Sequence, residues 1–211
     1  RLRRTRNMLG IFELFGTIAF AASGALTGLS KKMDILGVAT LGVVTAVGGG
    51  VIRDLILGNT PPATFQNPTY ALIAIVVSLI IFIPVVRRVL FKKQQVYDTI
   101  MLFMDSIGLG AFTVVGIQTA YAFDNTHNVF LLIFVGVVTG VGGGILRDIL
   151  AGNTPYIFVK HFYACASLLG AIVCIILWKY VGQSTAIISG ATVIIVLRLL
   201  AAHFRWSLPK A

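Results

Sequence analysis

Residues 42–61 read GVVTAVGGGVIRDLILGNTP, and residues 136–155 read GVVTGVGGGILRDILAGNTP. The two stretches share 14 identical residues in 20 positions at an offset of 94, and the six differences exchange apolar or small residues. A match of this length indicates that one structural unit has been duplicated within the chain.

The match extends outward from these stretches when small gaps are allowed. Tyr70-Ala71 corresponds to Tyr163-Ala164 in the second copy. Upstream, four positions correspond: Glu13, Gly16, Phe20 and Gly24 fall on Asp105, Gly108, Phe112 and Gly116. The duplication therefore spans about three apolar segments in each copy.

The composition places the chain in a membrane. Of its 211 residues, 57% are hydrophobic and only 11% are charged, and the mean hydropathy is +0.94. Soluble domains carry roughly 25% charged residues, which excludes a water-soluble single domain. The net charge of +10 does not indicate nucleic-acid binding, because the Lys and Arg residues lie in short clusters between apolar stretches, as in membrane proteins.

The apolar runs predict an all-α protein with seven transmembrane helices in one domain, 1–211. A span needs about 20 apolar residues. The first run is too long for a signal peptide and lacks a cleavage site, so we expect it in the mature protein. The spans are predicted near 10–29, 35–57, 69–91, 97–121, 129–151, 159–180 and 184–204, with repeat 1 at about 10–91, repeat 2 at about 97–180 and an extra helix at about 184–204.

Three spans per copy is an odd number, so the second copy should enter the membrane from the opposite side as an inverted repeat. The distribution of Lys and Arg predicts an outside N-terminus and a cytoplasmic C-terminus. The predicted cytoplasmic side holds nine of these residues: Lys31, Lys32, Arg87, Arg88, Lys92, Lys93, Lys160, Arg205 and Lys210. The other side holds five: Arg1, Arg3, Arg4, Arg6 and Lys179.

Glycine triplets lie in the middle of the second and fifth spans. Each glycine costs roughly 1 kcal/mol relative to alanine inside an aqueous helix. We therefore expect the triplets to kink or break both helices beside a solute pathway, which would expose backbone groups to a cavity. Close helix packing is the alternative, and it is what we expect of the GxxxG motifs at 24–28 and 136–140. The triplets are Gly48, Gly49, Gly50 and Gly142, Gly143, Gly144.

Each triplet is followed by an Arg-Asp pair, Arg53-Asp54 and Arg147-Asp148. Charges within a span are candidate functional residues. Because neighbouring residues on a helix do not face one another, we expect Arg53 to pair with Asp148 and Arg147 with Asp54. An interfacial cap is the alternative, since the helix ends about one turn later. The matched acids Glu13 and Asp105 lie near predicted helix starts, where capping and cation attraction are equally good interpretations.

Enzymatic motifs are missing from the sequence. It contains no HExxH, no Gly-x-Ser-x-Gly and no nucleotide-binding loop. Cys165 and Cys174 match neither a zinc spacing nor a disulfide framework. We expect no enzyme activity, no metal site and no cofactor.

The motifs resemble those of a known family. The quoted segments are GTIAFAASGA at 16–25, VVTAVGGGVIRD at 43–54 and VVTGVGGGILRD at 137–148. They are similar to the prokaryotic trimeric intracellular cation (TRIC) channels, which overlap a bacterial two-repeat membrane family proposed to transport glycine. The resemblance implies a homotrimer in membrane lipid, with one pore per protomer lined by the second and fifth helices. It also implies K⁺ as the main permeant ion, with Na⁺ also passing, and a prokaryotic plasma membrane.

Three functions remain open at this point. The first is a cation channel whose gate and filter use the triplets with Thr45 and Thr139, assisted by the charges at 53, 54, 147 and 148. The second is a carrier for a small zwitterion such as glycine, held by the same Arg and Asp residues. The third is a structural membrane oligomer, which would transport nothing.

Overall fold

The computed structural model describes residues 2–123, 128–159 and 162–206, and every regular element in those ranges is an α-helix. Arg1, Lys160 and Lys210, which enter the charge count, lie outside them. The helices are α1 (Leu2–Ser30), α2 (Ile35–Ile56), α3 (Ala63–Gln66), α4 (Thr69–Phe82), α5 (Pro84–Leu90), α6 (Gln94–Phe123), α7 (Val129–Leu150), α8 (Tyr156–Val159), α9 (Tyr163–Tyr180) and α10 (Gln183–His203).

Six of the described helices are long and apolar enough to span a membrane: α1, α2, α6, α7, α9 and α10. The remaining predicted span, 69–91, is not one straight helix as expected. It consists of α4 and α5, which meet at an angle of 77°. Pro84 opens α5, and the extended backbone at Ile83 (ψ 131°) is what a residue before proline favours. Counting this bent pair as one span gives seven.

Contacts along α4 show that it runs beside α1 from Glu13 to Leu29. At one end, Tyr70 of α4 donates a hydrogen bond to Glu13 of α1. At the other, Ile81 of α4 packs in one cluster with Leu29, Val38 and Met101. We call these the Glu13 end and the Leu29 end of the bundle. The chain therefore crosses between the two ends along α4 before it turns into α5.

Two pairs of matched helices, α1 with α6 and α2 with α7, run antiparallel. Along α6, Met101 lies near Ser23 of α1, whereas Phe112 lies near Gly16, which makes α1 and α6 antiparallel. Arg53 of α2 lines a cavity with Glu13, but Arg147 of α7 contacts Ser23 and Asp105 toward the Leu29 end. Consequently α2 and α7 are antiparallel, and their arginines lie toward opposite ends.

The middle glycine of each triplet lies where α2 and α7 cross. A Cβ atom at Gly49 would overlap the carbonyl oxygen of Thr139, and one at Gly143 would overlap that of Thr45. Both helices continue without interruption through their triplets. The prediction of a break was therefore wrong, because these glycines let two backbones approach. A kink at the triplets stays a prediction.

Close packing also explains the GxxxG motifs, as expected. A Cβ at Gly24 would lie 2.8 Å from the Cα of Gly42 on α2, and one at Gly116 would lie 3.0 Å from the Cα of Gly136 on α7. Such short distances require small residues on both helices. The α1–α2 and α6–α7 pairs are thus joined by matched glycine contacts.

Both α2 and α7 end in the same glycine turn. Gly58 and Gly152 have φ angles of +73° and +66°, which glycine adopts at little cost. The residue after each glycine donates its N–H to a carbonyl in the last turn of the helix. Asn59 donates to Asp54 and Asn153 donates to Asp148, both at 2.8 Å. After this Schellman turn, a short loop leads from α2 to the short helix α3 and from α7 to the short helix α8.

Candidate functional site

The Arg-Asp pairs that follow the triplets are internal ion pairs. Arg53 Nε lies 2.8 Å from Asp54 Oδ1, and Arg147 Nε lies 2.8 Å from Asp148 Oδ1. The expected pairing across the two copies was therefore wrong. Each arginine lies C-terminal to the crossing point on antiparallel helices, so the crossing separates Arg53 from Asp148. The long arginine side chain instead folds beside its own helix to reach the next residue.

The second oxygen of each aspartate binds the start of the following short helix. Asp54 Oδ2 accepts a hydrogen bond from the N–H of Ala63 at 2.8 Å, and Asp148 Oδ2 accepts one from Tyr156 at 2.9 Å. Each aspartate thus joins an arginine, the end of a long helix and a loop helix. This arrangement resembles the interfacial cap that we considered as the alternative role for the Arg-Asp pairs, because each aspartate binds groups at the end of its helix.

A second layer of contacts surrounds Arg147 at the Leu29 end. The guanidinium is fully buried and lies 2.7 Å from Asp105 Oδ1 on α6. It also donates a hydrogen bond to the hydroxyl of Ser23 on α1, and it lies over the ring of Tyr156, 4.8 Å from the centroid. Burying a charge is costly unless opposite charges and hydrogen bonds compensate it. Here three helices and α8 supply partners for Nε, Nη1 and the face of the guanidinium, while Nη2 has no hydrogen-bond partner among the described residues.

Arg198 of α10 enters the same cluster. Its Nη2 lies 3.7 Å from Asp105 Oδ2, and its guanidinium stacks over the ring of Tyr163 at 4.7 Å. Two arginines therefore face two aspartates, Asp105 and Asp148, and the cluster is formally neutral. The sequence offers no partner for Arg198, because no spacing in it indicates which helix faces α10.

Glu13 and Asp105 are not helix caps. Helix α1 begins at Leu2 and α6 begins at Gln94, so both acids lie more than two turns inside their helices. Asp105 pairs with Arg147, whereas Glu13 Oε2 accepts a hydrogen bond from the Tyr70 hydroxyl at 2.8 Å. The capping interpretation was wrong because the helices extend well beyond the apolar runs.

Glu13 lines a cavity of about 210 Å³ at its own end of the bundle. Arg53 borders this space and is 8% exposed, whereas Arg147 is 0% exposed. The cavity thus contains a carboxylate, a guanidinium and a phenol on three different helices. Its other lining residues include Thr17, Gly50, Asn67 and Phe112.

A second cavity of about 210 Å³ reaches Asp105 from the Leu29 end. It is lined by Asp98, Met101, Leu102, Asp105, Tyr156 and Arg198. Phe112, which lines the Glu13 cavity, packs against Phe20 with ring centroids 5.3 Å apart. Acidic residues therefore line both cavities, at opposite ends of the bundle.

The six triplet glycines face three kinds of neighbour. Gly48 faces the side chain of Leu146, and a Cβ at Gly142 would lie 3.4 Å from Ile52. The middle pair faces the crossing backbone, as described above. The third pair faces polar side chains: a Cβ at Gly50 would lie 3.7 Å from Arg53 Nη2, and one at Gly144 would lie 3.0 Å from the Tyr163 hydroxyl and 3.8 Å from Arg147 Nη2.

The two threonines contribute to packing. Thr45 donates its hydroxyl to the carbonyl of Leu41, and Thr139 donates to Val135, both at 2.6 Å. Both side chains are buried, and neither lines the two cavities described above. Their backbone carbonyls, however, form the surface on which Gly143 and Gly49 pack.

Sequence reasoning missed several residues that the structure brings to these clusters. The repeat already aligned Tyr70 with Tyr163, and each proves to contact its cluster, so the tyrosine match was a usable signal. Ser23 had no such signal, because many small residues line α1. In the described parts of the chain, no three His, Cys, Asp or Glu side chains are grouped to hold a metal ion.

Comparison with known proteins gives consistent results at full length. A family model described as glycine transporter matches twice, at residues 10–85 and 102–179. The membrane protein YvgT of Bacillus subtilis is 36% identical, with 95% of each chain covered. The inner membrane protein YadS of Escherichia coli is also 36% identical, with 93% of each chain covered.

Solved structures show the same fold. A TRIC cation channel studied for its conductance is 39% identical over 96% of both chains, with a TM-score of 0.83. A TRIC orthologue from Rhodobacter sphaeroides is 33% identical, with 94% of this chain and 98% of that chain covered and a TM-score of 0.85. The chain therefore belongs to the glycine transporter (UPF0126) family, and its fold is that of the prokaryotic TRIC channels.

Proposed function

We propose that this protein is a monovalent cation channel with K⁺ as its main permeant ion and Na⁺ also passing. The observation that carries this proposal is the pair of acid-lined cavities at opposite ends of the bundle, one with Glu13 and the other with Asp98 and Asp105. Carboxylates at the mouth of a narrow path attract cations and repel anions. Similarity to structures described as TRIC cation channels supports the same function.

The proposed pathway runs between α2 and α7, past the third glycine of each triplet. Gly50 leaves space beside Arg53, and Gly144 packs under the Tyr163 hydroxyl, at 3.0 Å from its Cβ position. Gly49, Gly143, Thr45 and Thr139 hold the crossing together. Gly48 and Gly142 complete the packing of the two helices. The ion would pass from the Glu13 cavity to the Asp105 cavity.

Arg147 is the proposed gate. Its guanidinium is enclosed by Asp105, Asp148, Ser23 and Tyr156, and two of these, Asp105 and Tyr156, line the Asp105 cavity. A cation cannot pass a buried, ion-paired guanidinium without displacing it, because like charges at close range repel strongly in a medium of low dielectric constant. This arrangement corresponds to a closed pathway, and opening would require Arg147 to move.

The proposed assembly is a homotrimer in a prokaryotic inner membrane, with one pathway in each protomer. The similar Rhodobacter sphaeroides protein is described as a trimeric channel, and the Escherichia coli relative as an inner membrane protein. The antiparallel courses of α2 and α7 support inverted repeats. The Leu29 end, which carries Lys31, Lys32, Arg87, Arg88, Lys92 and Lys93, would face the cytoplasm.

A glycine carrier is the second candidate, because the matching family model is described as a glycine transporter. A zwitterion needs a cationic group for its carboxylate and an anionic group for its ammonium. The paired Arg and Asp residues of each copy have this chemistry. A carrier of this kind would have to open these pairs for its substrate in each transport cycle.

The deciding experiment compares K⁺ flux and labelled glycine uptake in liposomes that contain the purified protein. The variant Gly50→Leu places a side chain in the Glu13 cavity, where its Cβ has space. Leu55→Ala on the same helix is the control, because Leu55 is 57% exposed. We expect K⁺ flux that Gly50→Leu lowers by at least about tenfold and that Leu55→Ala leaves unchanged.

Saturable glycine uptake with little K⁺ flux would contradict the channel and support the carrier. Flux of neither solute, in protein that remains folded and oligomeric, would contradict both and favour a structural role. Crosslinking in mild detergent would count the subunits, and a dimer or monomer would contradict the proposed trimer.

A further inference from the structure

A cavity of about 620 Å³ lies at the Leu29 end, outside the cation pathway proposed above. It opens between the α1–α2 turn and the bend that joins α4 to α5. Three cationic side chains line it: Lys32 from the turn, and Arg87 and Arg88 from α5. Leu29, Phe82 and Phe91 form its apolar wall. A charged rim above an apolar wall is the pattern that an amphiphile would fit.

The bent helix α5 has the character of a segment that lies along a membrane surface. It turns 77° away from α4, and its Val85 and Val89 side chains are 70% and 64% exposed. The same seven-residue helix carries Arg87 and Arg88. Apolar residues next to arginines are typical of helices at the boundary between headgroups and acyl chains.

The three cations have no acidic partner within the described ranges of the chain. Ion pairs there involve Asp54, Asp105 and Asp148, all of them elsewhere in the bundle. The carboxylate closest in sequence, Asp34, caps α2 by accepting a hydrogen bond from the N–H of Gly37 at 2.7 Å. The cavity therefore presents three positive charges that no described side chain neutralises.

The backbone at Lys32 supports a role for its side chain. Lys32 has a φ of +57°, in the left-handed region that favours glycine. The turn that imposes this angle is closed by a hydrogen bond from the N–H of Met33 to the carbonyl of Gly28 at 3.0 Å. Helices commonly end with glycine at such a position. The same turn holds the Lys32 side chain at the cavity, where a glycine would supply no charge.

We propose that this cavity binds the headgroup of an anionic phospholipid from the leaflet at the Leu29 end. The phosphate lies against Lys32, Arg87 and Arg88, and the acyl chains run along Leu29, Phe82 and Phe91. Clusters of Lys and Arg at a membrane surface attract anionic lipids. The apolar wall would contact the acyl chains of a lipid, whereas a free anion has no apolar part to place there. The site is separate from the cation pathway and does not depend on ion conduction.

The test measures lipid retention by purified protein with native mass spectrometry after exchange into phosphatidylglycerol or phosphatidylcholine. The test variant combines Lys32→Gln, Arg87→Gln and Arg88→Gln. The matched control combines Lys31→Gln, Lys92→Gln and Lys93→Gln, which removes the same charge from the same end without touching the cavity lining. We expect the test variant to bind phosphatidylglycerol at least about tenfold more weakly than the control.

A second variant separates lipid binding from folding. Lys32→Gly relieves the left-handed strain, so we expect thermal stability in detergent without lipid to be unchanged or higher. The stabilisation that added phosphatidylglycerol gives to the parent protein should nevertheless be reduced in this variant. Inorganic phosphate at the same concentration should stabilise neither protein.

Three results would overturn the proposal. The first is equal retention of phosphatidylglycerol by the triple variant and its control. The second is retention of phosphatidylcholine as strong as that of phosphatidylglycerol. The third is stabilisation by inorganic phosphate as large as that by the lipid, which would replace the lipid site with a simple anion site.

Discussion

A guanidinium nitrogen of Arg147 lies 2.7 Å from a carboxylate oxygen of Asp105. The matching residues of the first copy, Arg53 and Glu13, form no such ion pair, because Glu13 accepts a hydrogen bond from Tyr70 and Arg53 binds Asp54. Two nearly identical sequence motifs thus give their arginines different partners: among the described residues, Arg53 pairs with one aspartate and Arg147 with two. Arg147 is enclosed, and Arg53 borders a cavity. Part of this asymmetry comes from Arg198 on α10, which reaches Asp105 and belongs to neither repeat.

Removing the acid from the enclosed cluster should destabilise the protein much more than removing the matched acid. Asp105→Asn leaves a fully buried Arg147 with a single carboxylate partner, for which we expect a loss of about 3 kcal/mol in unfolding free energy. Glu13→Gln changes one hydrogen bond beside a cavity, and we expect a loss of about 1 kcal/mol or less. Unfolding in detergent measures both. Equal losses would contradict the asymmetry between the two ends.

The pairing of the charges can be measured directly with double-mutant cycles. We expect Arg147→Gln and Asp105→Asn to be coupled by about 1–3 kcal/mol, because the two groups are in direct contact. Arg53→Gln and Asp148→Asn should be additive within about 0.5 kcal/mol, since these residues lie on opposite sides of the helix crossing. Strong coupling between Arg53 and Asp148 would restore the pairing across the two copies that the sequence suggested.

The middle glycines of the triplets should not tolerate even a methyl group. Gly49→Ala and Gly143→Ala each place a Cβ onto a backbone carbonyl of the partner helix, so we expect lower thermal stability and loss of folded protein in detergent. Gly50→Ala is the matched control, because its Cβ meets only the flexible end of Arg53 at 3.7 Å. Alanine should be neutral or stabilising there, given its higher helix propensity. Similar behaviour at positions 49 and 50 would argue against the crossing.

Two substitutions at the Glu13 cavity should change K⁺ flux in opposite directions. Tyr70→Phe removes the hydroxyl that donates to Glu13 and leaves the carboxylate free to attract cations, which should raise flux. Glu13→Gln removes the negative charge and should lower it. A hydrogen bond of this kind contributes about 1 kcal/mol, so we expect changes of about two- to fivefold. Liposome flux at equal protein content measures them, and changes of the same sign would show that the cavity does not act on permeant cations.

The course of most spans was predictable because apolar length and polar punctuation are local properties. Helices α2 and α7 were expected near 35–57 and 129–151 and occur at Ile35–Ile56 and Val129–Leu150. The third span was harder, since Pro84 interrupts a run whose hydropathy alone indicates one helix. The side of the bundle to which Pro84 directs α5 depends on how α4 packs against α1 and α2.

The candidate site was predictable in its membership but not in its contacts. The repeat identified the triplets, the Arg-Asp pairs, the matched acids and the tyrosines. It did not indicate that Arg147 would bind Asp105 or that Ser23 and Arg198 would join them. Those contacts join α1, α6, α7 and α10, which lie far apart in sequence, so no spacing rule could relate them.

By itself, the sequence determined that this chain lies in a membrane, consists of two copies of one helical unit and has an Arg-Asp pair shortly after each glycine triplet. Apolar run length and self-similarity decide these properties without reference to other parts of the chain. Only the tertiary structure decided that Gly49 and Gly143 are contact points and that Arg147, not Arg53, is enclosed. The position and rotation at which two helices cross select which side chains meet, and the periodicity of a single helix does not specify either.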